Sequence, residues 1–156
     1  NKNIVEKMRA ISNRYTNRKY FLSKVLEEEC LWTLYALQQG VTSIAPDRYK
    51  RRGNGSIEFI ESFFNMRGRS KDFTDESRMA ILSGNTKIVF DGTYSIATGD
   101  VDGETFKFMT FNDSGDIEDK PDSRYVKFVD NYFPGTLISA KIIFNFEAPK
   151  YETKQG

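Results

Sequence analysis

Near residue 86 the apolar residues of this chain change their spacing, from steps of three and four to strict alternation. Alternation along a strand and three-to-four spacing along a helix are mutually exclusive ways of burying one face. The switch therefore divides the chain into a helical front and a β-rich back. Ile88, Phe90, Tyr94 and Ile96 alternate with Lys87, Asp91, Thr93 and Ser95, which predicts a strand over 86–96 with one buried face. Further strands are expected over 104–112, 124–130 and 136–147. In the last, Ile138, Ala140, Ile142, Phe144 and Phe146 share one side, and Ser139, Lys141, Asn145 and Glu147 share the other.

Ahead of the switch, Ile4, Met8, Ile11 and Tyr15, then Leu22, Val25 and Trp32, form a narrow stripe. Arg18 and Glu29 interrupt it, which argues against a sustained coiled coil. The spacing predicts one long helix over residues 3–39, or two nearly collinear ones; unbroken, it runs about 55 Å at 1.5 Å per residue, with Gly40 as its C′ stop. Two short helices follow. One starts at Ser56 as N-cap and turns Ile57, Ile60, Phe63 and Phe64 to one side. The other runs from Thr74, with Asp75 and Glu76 in its first turn, to Gly84 as its stop.

Helices first and strands afterwards give an α+β fold: a long N-terminal helix and two short helices packed on a four-stranded antiparallel sheet. The 156 residues suit a single domain spanning 1–156, with residues 1–18 projecting from it as a helical extension. The layout resembles two groups. One is the cone-shaped helix-on-sheet type, which includes nuclear-transport-factor-like domains and periplasmic assembly factors of conjugation and type IV secretion. The other is the type IV pilins and pseudopilins. Pilins often pin their last loop with a disulfide, which a chain with one cysteine cannot make. No motif ties the chain to one family, so no family residue is carried over.

Composition limits the chemistry. With no histidine, any mechanism needing an imidazole base is excluded, and so are histidine-containing zinc and iron sites. Cys30, in an apolar helical stretch, reads as a small buried hydrophobe. "RGNGS" lacks the GxxxxGK[ST] phosphate-loop pattern. Carboxylate-only catalysis remains open, but no spacing selects an acid–nucleophile pair. No catalytic residue, cofactor or metal site is expected.

"ATGDVDGETF" places Asp-Gly between alternating runs, a hairpin signal. A two-residue turn sets Ile96 opposite Met109, with Phe106 and Phe108 on the other face beside Gly99 and Ala97. A one-residue bulge brings those rings to the Ile96 side. The spacing leaves both registers open. A calcium loop would need a glutamate at its twelfth position, where Phe111 stands.

The expected function is a non-catalytic assembly or interaction domain, the soluble part of a larger anchored protein such as a bacterial envelope, pilus or secretion component. The chain opens on Asn1 and not on methionine, which suggests a removed anchor or tag. An extracytoplasmic place, periplasmic or cell-surface, is favoured over a cytoplasmic one. The partner is a protein or a second copy, met through Ile4, Met8, Ile11 and Tyr15. Membrane contact is expected only through a segment absent from this chain. Basic loops bearing Arg48, Tyr49, Lys50, Arg51 and Arg52, then Arg67, Arg69 and Lys71, add an anionic-partner or nucleic-acid surface. The acidic run 113–122 reads as a long mobile loop between the second and third strands, a solubilising tip whose charge, set against the basic loops, could also steer association. A ligand pocket or carboxylate enzyme, with Trp32 and Tyr35 over a concave sheet, is the alternative from another class.

Overall fold

The computed structural model describes residues 28–38, 54–66, 77–101 and 104–143. These hold two helices, α1 (Glu28–Ala36) and α2 (Gly55–Met66), and four strands: β1 (Arg78–Phe90), β2 (Ala97–Val101), β3 (Glu104–Phe108) and β4 (Val126–Lys141). Among the described residues the strands form two separate antiparallel ribbons, β1–β4 and β2–β3, instead of one four-stranded sheet.

The expected long helix is likewise not found among the described residues. Helix α1 covers nine residues and stops at Ala36. Its last turn tightens through Leu37 N–H to Leu34 O (3.2 Å) and Gln38 N–H to Tyr35 O (3.0 Å). Residues 3–27 and Gly40, which carry the remainder of that expectation, lie outside the described residues. Cys30, Leu31, Leu34 and Tyr35 fall one turn apart in pairs and are buried, while Trp32 points outward.

Helix α2 matches its pattern, with Ile57, Ile60 and Phe63 buried. It begins earlier than Ser56, because Glu58 N–H bonds Asn54 O at 3.0 Å and makes Asn54 the cap. The second short helix is replaced by strand. Residues 78–83 belong to β1, where Met79 and Ile81 are buried between exposed Arg78 and half-buried Ala80. Pairing with β4 overrides the cap-like Thr74–Glu76 start, since local propensity is weak beside tertiary burial.

Gly84 explains how one strand satisfies two patterns. Before it the buried residues are Met79 and Ile81; after it they are Thr86, Ile88 and Phe90. The parity changes from odd to even at a glycine with φ +57°. Opposite it, β4 slips in register. Ser83 pairs with Thr136, Gly84 with Phe133 and Thr86 with Phe128. A bulge of this kind turns the strand so that the same face stays inward. The strands expected over 124–130 and 136–147 are therefore joined in one strand that ends at Lys141, and residues 144–147 lie outside the described residues. It passes through Pro134 and Gly135 (φ +146°), where proline and glycine fall in the irregular stretch.

The second ribbon pairs Ala97 with Phe108 and Gly99 with Phe106. That is the register of a two-residue connection without a bulge. The Phe106 and Phe108 rings lie by Gly99, where a Cβ would stand 3.0 Å from the Phe108 ring.

The core gathers Leu31 and Leu34 of α1, Ile60 and Phe63 of α2, and Ile88 and Phe90 of β1. Phe111, buried in the segment after β3, joins it with φ +56°, costly for a side chain of that size. A chain of rings runs Phe64–Phe90–Phe111–Tyr94–Tyr125, with neighbouring centroids 5.2 to 6.5 Å apart.

Candidate interaction surface

Helix α1 packs on β1 and the adjoining part of β4. Burial is unequal across the far half of the ribbon. Ile81 and Ile138 are directly paired and share a face, yet Ile81 is 3% exposed and Ile138 46%. On the opposite face Leu137 is 49% exposed. Ile143, just past the strand, is 40% exposed. Among the described strands β4 has a neighbour on one side only. The stretch Thr136–Ala140 carries no charge, and Lys141 follows it. It therefore lacks most of the devices that blunt an open strand edge.

A second polar feature sits at the other end of the β1–β4 ribbon. Tyr94 Oη lies 3.1 Å from Asp122 Oδ2 and 3.2 Å from Asp113 Oδ1, and shares its proton between the two carboxylates. Arg124 grips Asp122 through Nε (2.9 Å) and Nη2 (2.6 Å), and its guanidinium stands 5.8 Å from the Tyr125 ring centre. Tyr125 Oη donates to Thr93 Oγ1 at 2.9 Å. The Arg124 bonds hold the Asp122 carboxyl down at about 2, with smaller help from the Arg124 backbone amide and the Tyr94 hydroxyl against the opposing effect of burial. Burial pushes the Tyr94 phenol up, and the bonds and charges of the two aspartates add to the rise. The network fastens the segment after β1, through Thr93 and Tyr94, to the residues that lead into β4.

A carboxyl depressed in the folded state stabilises the fold above its ordinary value. That contribution fades as pH falls from about 4 through about 2. Asp122→Asn is expected to remove this part of the acid-unfolding curve, followed by near-ultraviolet circular dichroism. An unchanged curve below pH 4 would refute the assignment.

The segment between β3 and β4 is laced to itself, although its composition suggests a mobile loop. Asn112 Nδ2 donates to Asp116 O (2.8 Å) and Asp119 O (3.1 Å). Asp122 N–H bonds Phe111 O at 2.6 Å. Tyr35 Oη donates to Ile117 O at 2.6 Å and fastens the segment to α1. Tyr35 is buried around this bond, while Trp32 on the same helix is 39% exposed. At the β2–β3 ribbon, Lys107 Nζ meets both Glu61 carboxylate oxygens at 2.7 Å, linking β3 to α2. Thr105 Oγ1 donates to Asp100 Oδ1 at 2.9 Å. Among the described residues no group of three or more acidic or cysteine side chains could hold a metal ion.

The partner residues expected from the sequence are not placed by this geometry. Ile4, Met8, Ile11 and Tyr15 lie outside the described residues, as do Arg48, Tyr49, Lys50, Arg51 and Arg52. Arg67, Arg69 and Lys71 lie outside them too. Leu137 was missed. Its signal was an apolar residue on the polar side of an otherwise alternating strand, in the stretch "TLISAKII".

Compared with family models, with curated proteins and with solved structures, the chain finds no match in any of the three. Function must therefore be argued from the surface itself.

Proposed function

We propose that this chain is a non-catalytic interaction domain whose docking element is the far half of β4. The observation that carries the reading is the exposure of Leu137, Ile138 and Ile143 at 40–49% on and beside a strand that, among the described strands, has a neighbour on one side only. A strand with one described neighbour offers its other edge for strand addition and apolar side chains on both faces for specificity. Burying the remainder of each of these side chains is worth about 1 kcal/mol, enough for several together to hold a partner. The Tyr94–Asp122–Arg124 fastening and the Gly84 bulge support the reading as the parts that hold a long ribbon in shape.

A photo-crosslinking residue at position 138 is expected to give covalent adducts in cells that make the protein. The same residue at exposed Ser62 on α2 should give none. Equal labelling at both positions, or no adduct at 138, would remove β4 as the docking element.

A further inference from the structure

We infer that the strand taken by the open edge of β4 is β4 of a second copy, running antiparallel about a two-fold axis centred on Ala140. The inference rests on the docking-strand reading and names its occupant. A two-stranded ribbon is marginal unless packed or widened by further strands. Helix α1 meets the ribbon at the bulge, with Glu29 beside Gly84 and Cys30 beside Thr86; farther along β4, Leu137 and Ile138 are 49% and 46% exposed. Pairing two copies turns two ribbons into one four-stranded sheet in the order β1–β4–β4–β1, which closes the open edge of each.

Among the settings centred on Ile138 to Lys141, one pairs apolar residues with apolar residues on both faces; centred on Ile138, the pairing would face Leu137 with Ser139. A two-fold relating antiparallel neighbours runs perpendicular to the sheet and sets one residue opposite itself. Centred on Lys141, it would face lysine with lysine. Centred on Ser139, it would face Leu137 with Lys141. Centred on Ala140, it pairs Ile138 with Ile142 of the second copy and Leu137 with its Ile143, while Lys141 meets Ser139. Each apolar pair then occurs twice, both Ile138–Ile142 pairs on one face of the sheet and both Leu137–Ile143 pairs on the other. Ile138 and the half-buried Ile142 lie on the side that packs against the core, so this register extends the core of both copies. Gly135 and Pro134, where the β1–β4 register breaks, mark the end of the paired segment.

The interface is small, and an affinity in the micromolar range is expected. The test is sedimentation equilibrium of the purified chain from about 1 to 200 µM, combined with single cysteines placed along β4. The expected result is a monomer–dimer equilibrium that Ile138→Lys weakens at least tenfold. Ala140→Cys should form a disulfide dimer under mild oxidation, because directly opposite Cα atoms at about 4.5–5.5 Å suit a disulfide. Thr136→Cys and Ser62→Cys should not. The native Cys30 is fully buried and serves as its own control in the unaltered chain. A chain that stays monomeric at 200 µM overturns self-pairing; if position 138 still gives adducts of another mass in cells, the docking-strand reading survives that failure. A dimer indifferent to Ile138→Lys overturns the inference, as does one crosslinked through Ser62→Cys but not Ala140→Cys.

Discussion

Gly84→Ala is expected to destabilise the fold by about 3 kcal/mol, read from the urea midpoint at unchanged slope. Two costs combine. The residue sits at φ +57°, where any Cβ costs about 1–2 kcal/mol. The Cβ would also overlap the Glu29 carboxylate, with the Tyr132 ring 3.6 Å away. That carboxylate has an assignment: its Oε1 accepts the Asn85 N–H at 2.8 Å. Displacing it strands a half-buried amide, worth about 1–3 kcal/mol. Asn85 in turn donates through Nδ2 to Val129 O at 2.7 Å, a carbonyl where β4 slips past β1. The bulge is thus held from both sides, by α1 through Glu29 and by β4 through Asn85. Removing the carboxylate first should soften the effect. Glu29→Ala and Gly84→Ala together are expected to cost less than the sum of the single changes, with a coupling of about 1 kcal/mol or more. Strict additivity would mean that the clash is relieved without disturbing the Asn85 bond.

The same glycine shows why part of the fold was legible and part was not. A left-handed glycine closes a helix at C′ and also turns a strand at a bulge. Local sequence offers the same residue for both. Thr74, Asp75 and Glu76 tip the reading to a helix start, and what decides for strand is a partner dozens of residues away. Pro134-Gly135 misleads in the opposite direction. It has turn chemistry, yet the chain carries it through the irregular stretch of a single strand. Patterns that report a neighbouring face were read correctly. Ile57, Ile60 and Phe63 mark the buried side of α2, and Asp102-Gly103 marks the β2–β3 connection, although the sequence did not choose its register. The candidate surface was half legible. Ile138 was assigned to an inward face, and it does share that face with Ile81. Its exposure depends on what lies over that part of the ribbon, which no periodicity records.

Gln38 is the other residue whose importance no pattern announces, and Gln38→Glu gives the second large effect. Buried just past α1, its side chain acts like a short piece of strand. Oε1 accepts Met109 N–H at 2.7 Å, while Nε2 donates to Met109 O at 3.2 Å and Leu34 O at 2.8 Å. One amide thereby satisfies the end of α1 and the first residue after β3. A glutamate keeps the acceptor for Met109 N–H. Once ionised, however, it turns an oxygen toward two carbonyls, buried and without a donor to offer them. The expected loss at pH 7 is about 3 kcal/mol, the range for breaking buried hydrogen bonds and leaving a poorly compensated charge. Protonation restores a donor. Burial and the facing carbonyls raise the folded-state pKa of the introduced carboxyl above its unfolded value of about 4.3. The variant should therefore sit closest to the parent below pH 4 and weaken as pH rises through the folded value. Gln38→Leu, which offers neither donor nor acceptor, should be destabilised by a similar amount at every pH. Urea midpoints for the three proteins at pH 4 and pH 7 separate the cases: a glutamate variant no closer to the parent at pH 4 than at pH 7 would show that Gln38 is not the bond that ties α1 to Met109.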